Sequence, residues 1–146
     1  VEDIGLADPQ ALIQANAAKE AYNFLGSPEG ELALAQCVLY LATAPKSNAI
    51  DSAYKKARQI AKEKGSLAPP KHILNAPTTL MKQLDYGKGY QYDHDTAHSF
   101  SGQNYFPDTM AREEFYQPKG YGFEEELVKR LNYWRALRKE LNQKTV

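Results

Sequence analysis

The sequence predicts an all-α domain of about five main helices, with a long aromatic-rich irregular segment before the last of them. Prolines and glycines stand where helices start and stop, and apolar residues recur between them at three- and four-residue spacing. Residues 86–121, by contrast, show no sustained helical or strand period.

Asp8-Pro9 places a capping side chain before a proline in the first turn, apolar positions from Leu12 to Leu25 follow, and Gly26 closes a helix expected over about 9–25. Ser27-Pro28-Glu29 repeats the pattern of cap, proline and acidic first turn, and a second helix is expected to continue to Pro45. This helix is apolar nearly all round, which predicts a central position. After the turn at Pro45–Asn48, Ile50, Ala53, Tyr54, Ala57, Ile60 and Ala61 fall on one stripe that ends at Gly65. Pro69-Pro70 forces an extended break, and His72–Leu84 supports only a short helix because Pro77 interrupts it. From Phe123, the residues Leu127, Leu131, Trp134, Leu137 and Leu141 mark a last helix reaching about Asn142, with Glu124, Glu125 and Glu126 at its dipole-favoured start.

The 146 residues predict one domain, 1–146, of ordinary globular composition, 42% hydrophobic and 25% charged, long enough to bury a core. Eighteen basic residues balance eighteen acidic ones, which removes the footprint of a dedicated nucleic-acid-binding domain. The single cysteine, Cys37, cannot form an intrachain disulfide or supply a zinc site alone; it reads as a small buried residue in a reducing, cytoplasmic compartment. No stretch approaches the length of a membrane span, so no membrane partner is expected. The chain starts at Val1 without Met, which suggests a piece of a longer protein.

No phosphate-binding loop of the Gly-x4-Gly-Lys-Ser/Thr type occurs, so the chain by itself is not expected to bind ATP or to be an enzyme. Asp93-His94-Asp95 with His98 gathers metal-ligating residue types, yet nothing else in the sequence pairs with them, and the cluster reads as a turn. His94 and His72 have no partner motif for acid–base work, so no catalytic, cofactor-binding or metal residue is assigned. Segment 86–121 holds nine of the sixteen aromatics, too many for a disordered linker. Tyr90, Tyr92, Tyr105, Phe106 and Tyr116 are candidates for a subunit interface, against packing inside their own domain or stacking on unpaired bases. The last helix carries Lys129, Arg130, Arg135, Arg138 and Lys139, with Lys144 beyond. Arg130, Arg135, Arg138 and Lys139 are candidates for a basic docking face, against a solvated outer face.

The stretches Glu2–Pro9, Tyr40–Asn48 and Tyr90–Asp95, with Pro70–Ile73, Gln103–Pro107 and Tyr116–Pro118, resemble one family from about Glu2 to Lys139. It is the C-terminal region of the replication-associated recombination protein A (RarA, MgsA) family of AAA+ ATPases, which is related to the Werner-helicase-interacting protein. The resemblance implies a helical homo-oligomerisation domain, with four subunits expected, in a DNA-dependent ATPase of replication-fork maintenance, recombination and repair. It further implies a cytoplasmic, nucleoid-associated protein whose ATP, magnesium and catalytic residues belong to an upstream domain. DNA and the single-strand-binding protein are implied partners of the full-length protein. The alternative is that this domain docks single-stranded DNA or the single-strand-binding protein directly.

Overall fold

The computed structural model describes residues 1–144, and of Lys144 only the backbone, so the last basic residue read from the sequence lies outside the described side chains. Among the described residues the protein is all-α, with five α-helices: α1 Gln10–Leu25, α2 Glu29–Thr43, α3 Ala49–Lys64, α4 Thr79–Gln83 and α5 Glu124–Lys144. Single 3-10 turns occur at Gly5–Ala7, Lys71–Ile73 and Asp93–Asp95.

Local chemistry fixes these boundaries. The Asp8 carboxylate accepts the Gln10 amide at 3.0 Å, which satisfies a donor that the helix itself leaves unpaired. Gly26 takes φ 68° after α1 and returns its amide to the Tyr22 carbonyl at 2.8 Å, a conformation that costs glycine least. α2 stops where Ala44, ahead of Pro45, turns extended. The Ser47 hydroxyl accepts the Ala49 amide at 3.3 Å and opens α3, and the Thr78 hydroxyl does the same for α4 through Met81.

The chain forms two compact units. The first is Val1–Gln59 with Phe115–Leu131. Its α1 and α2 pack as an antiparallel hairpin with a seam of small residues: Ala11, Ala15, Ala18 and Ala21 on α1 face Gly30, Ala33 and Cys37 on α2. A methyl group on Gly30 would stand 2.8 Å from the Tyr22 Cα, so the two backbones approach as closely as the seam allows. The Tyr40 hydroxyl then donates to Asp8 at 2.7 Å and ties the end of α2 to the start of α1. Ile4, Ala11 and Ala44 form the buried cluster, flanked by Tyr40 and Leu41.

The expected central position of α2 is corrected by the structure. Leu32, Val38 and Leu39 lie largely open to solvent, because the narrow alanine and glycine seam consumes the small residues and turns the large ones outward. Cys37 is half-buried in that seam.

The second unit is Ile60–Glu114 together with α5 from Asn132 onward. Its long irregular run is held by side chain to backbone bonds instead of a helical or strand ladder. The Gln103 amide bridges the Gly89 carbonyl (2.8 Å) and the Gln91 amide (3.1 Å), and Asp93 accepts the Ser101 amide at 2.8 Å. Phe100 packs on Trp134 with ring centres 4.8 Å apart, and Leu137 of α5 is buried.

Candidate self-association and docking surfaces

Glu124 organises the first unit. Of the three glutamates that open α5, it alone is fully buried, at 0% exposure. One carboxylate oxygen accepts the Ser47 hydroxyl at 2.8 Å and the Tyr116 hydroxyl at 2.7 Å; the other accepts the Lys119 amide at 2.7 Å. Three charge-assisted bonds compensate the burial of the carboxylate. Burial, then the bond to Glu124, pushes the Tyr116 phenol well above the ordinary tyrosine value. Nearby, the Phe123 amide donates to the Ala7 carbonyl at 2.8 Å, and the Ser47 amide donates to Asp3 at 2.8 Å. Gly122, at φ 56°, permits this approach: a Cβ there would meet the Ala7 oxygen at 2.3 Å. Three of the stretches that carry the family resemblance, Glu2–Pro9, Tyr40–Asn48 and Tyr116–Pro118, therefore meet around one buried carboxylate. Sequence reasoning missed this role and read Glu124 only as a first-turn acid; the run of three glutamates does not distinguish the buried one.

Tyr116 among the aromatic candidates is thus tied into its own unit. In the second unit, Tyr90, Tyr92 and Tyr105 are each about half exposed and Phe106 is half-buried. Tyr92 and His94 make a tilted ring contact with centres 5.0 Å apart, Tyr105 and His72 another at 6.0 Å, and the Arg112 guanidinium lies 5.9 Å over Phe106. Asp93 is held below the usual carboxylate range by its bonds from Ser101. Among the described residues no group of three His, Cys, Asp or Glu side chains converges on a point where a metal would sit.

The basic residues of α5 divide by their partners. Arg130, in the first unit, pairs with Glu126 at 3.2 Å and lies over Phe123. Arg135, in the second, makes a two-pronged contact with Glu114 at 2.8 and 3.1 Å, which holds that carboxyl below its usual range. Arg138 lies 4.9 Å over Phe100 and donates to the Gly102 carbonyl at 3.3 Å. Burial, then the nearby Arg112 charge, lowers the Arg138 guanidinium below the ordinary arginine value. Lys139 is exposed.

The most open apolar surface lies elsewhere, on the α1–α2 hairpin. Phe24 is 89% exposed, Leu32 74%, Leu39 69%, Val38 64% and Ile13 56%. Scattered apolar residues are ordinary on any surface, whereas these five stand on two adjacent helices. Among the described residues no helix is long and apolar enough to cross a membrane.

Comparison with known proteins agrees with the motif reading. The profile of the family described as MgsA AAA+ ATPase C terminal matches residues 1–135. Replication-associated recombination protein A of Coxiella burnetii is 46% identical over 140 residues, which cover 95% of this chain and 32% of that protein. The protein of the same name from Escherichia coli K12 is 44% identical over 131 residues, covering 89% of this chain and 29% of its own length. ATPase WRNIP1 of Dictyostelium discoideum is 43% identical over 123 residues, 81% of this chain and 14% of its own. The chain spans about a third or less of the length of these relatives. With the profile matched over most of its length, the chain belongs to the MgsA AAA+ ATPase C-terminal family.

Proposed function

We propose that this domain is the homo-oligomerisation module of a DNA-dependent AAA+ ATPase acting in replication-fork maintenance, recombination and repair, with four copies per particle. One observation carries the self-association: the domain keeps little of its large apolar surface for itself. Among the described residues the buried apolar side chains are Ile4, Leu137, Pro70 and five alanines, whereas leucines, a valine and a phenylalanine of α1 and α2 face outward. A surface of that kind is covered in the working particle, and identical copies supply the cover by symmetry. Self-association then raises the local concentration of the ATPase cores that the family places upstream, where ATP and magnesium are bound. The cytoplasm, at the nucleoid, is the compartment that fits this role.

The competing reading, direct docking of single-stranded DNA or the single-strand-binding protein, draws on Arg112, Arg138 and Lys139. It is disfavoured because Arg130 and Arg135 are already paired with glutamates and the chain carries no net charge. Equilibrium sedimentation with and without a thymidine oligonucleotide separates the two. Association in the absence of DNA supports self-assembly; a monomer that binds the oligonucleotide at submicromolar concentration, with steep salt dependence, overturns it.

A further inference from the structure

The second unit holds a pocket of about 490 Å³, within the size range of sites that take small molecules. His72–Ala76, Gly87 with Tyr90, and Tyr105 form its wall, and direct bonds tie these stretches together. Gly87, at φ 74°, donates its amide to the Lys71 carbonyl at 2.8 Å, and a Cβ there would stand 3.3 Å from the Leu74 carbonyl oxygen. The Gln103 side chain, through its bonds to the Gly89 carbonyl and the Gln91 amide, brackets Tyr90 from both sides, and Tyr105 follows two residues later. Pro70–Ile73, Tyr90–Asp95 and Gln103–Pro107, the other three stretches that carry the family resemblance, each contribute a residue to this wall.

The fold does not use up the polar groups of this wall. His72 lines the pocket, its imidazole makes the ring contact with Tyr105, and its Nε2 is buried without a hydrogen-bond partner among the described residues. A buried polar atom normally has a partner, and one in a pocket wall finds it on what the pocket holds. Asn75 is exposed and offers a donor and an acceptor in one plane. Tyr90 and Tyr105 add ring faces that are 51% and 45% exposed. No lysine, arginine, aspartate or glutamate lines the pocket, so an ion would lose its water there without a counter-charge. A purely aliphatic group would leave Asn75 and His72 unmet. An uncharged planar ring with hydrogen-bonding groups on its edge satisfies both the tyrosine faces and the polar groups. We propose that this pocket binds a nucleobase, with the ring against Tyr90 and Tyr105 and its edge on the Asn75 amide and the His72 Nε2. The base comes either from a free nucleoside or from an unpaired position of a strand. This inference goes beyond the self-assembly reading and does not rest on it. Nor does it need the phosphate contacts of the competing reading, because no lysine or arginine lines the wall.

Titration of the 146-residue chain with adenosine, followed by the nitrogen resonances of the His72 imidazole and the ring resonances of Tyr90 and Tyr105, tests the site. Millimolar adenosine is expected to shift these signals, with little change between low and high salt. Tyr105→Ala is expected to weaken binding about tenfold, and Asn75→Leu, at an exposed position outside the core, by a similar factor. Both variants are expected to keep the helical circular dichroism. A short oligodeoxyadenylate distinguishes the sources of the base. Tighter binding than adenosine at equal base concentration assigns the site to a strand, and equal binding assigns it to the free nucleoside. If adenosine and the oligonucleotide both leave the His72 signals unmoved, or if binding survives Asn75→Leu and Tyr105→Ala unchanged, the proposal is overturned. Signals that move with N-acetyltryptophanamide but not with nucleosides assign the pocket to a peptide side chain and overturn it equally.

Discussion

Glu124 is the residue on which the first unit turns, and its effect follows from what it leaves behind when removed. Glu124→Ala strands the Ser47 hydroxyl, the Tyr116 hydroxyl and the Lys119 amide in a closed space. Orphaned donors of that kind cost about 3 kcal/mol together, which corresponds to a Tm lower by roughly 10 °C. Ser47→Ala, which removes one donor to Glu124 and the cap of α3, should cost less, about 2 kcal/mol. Thermal melts followed at the helical band test the order, and a Glu124→Ala chain as stable as the wild type contradicts it. Tyr116 adds a pH signature. Its phenol, and that of Tyr40 beside Asp8, titrate above the unfolded value of 10.0. Their contribution is complete below that value and is lost as pH rises past it, because the unfolded chain then releases protons that the folded chain keeps. Tyr116→Phe should therefore flatten the fall of Tm above pH 10 even though it lowers Tm at neutral pH; an alkaline slope equal to that of the wild type contradicts the assignment.

At the scale of elements, legibility followed periodicity. α1, α3 and α5 each carry a stripe or a cap that fixes one face or one end, and the structure places them within a few residues of the expected bounds. α2 carries no such contrast. With leucine, alanine and valine on every side, its sequence cannot say which face is inward, and hydrophobicity alone pointed to the centre of the fold. The decision is made by residue size, since only glycine, alanine and cysteine fit the seam with α1. The buried member of the Glu124–Glu126 run was illegible for a similar reason: three identical acids differ only in what the tertiary fold brings to them. The irregular stretch was recognisable by its lack of period, but its ties through Gln103 and Asp93 join residues whose pairing no local pattern reveals. The seam makes its own prediction. Gly30→Ala drives a methyl group against the Tyr22 backbone, so it should separate α1 from α2, lower Tm by several degrees and weaken assembly. Retained stability and mass in that variant contradict the packing described.

For the whole molecule, charge and apolar surface point in different directions, and the apolar surface prevails. A chain of zero net charge whose arginines are paired with glutamates or laid over aromatic rings has little counterion release to offer a nucleic acid. Its leucine-rich hairpin, in contrast, has every reason to leave water. The family is described as the C terminus of an AAA+ ATPase, and the proposed subunit number of four is the expectation that the sequence resemblance implies, not a reading of the geometry. Light scattering of the 146-residue chain at micromolar concentration tests the central claim most directly. The account predicts a particle built from several copies of the 16.4-kDa chain, four at saturation. A mass of 16.4 kDa across the whole concentration range would contradict it.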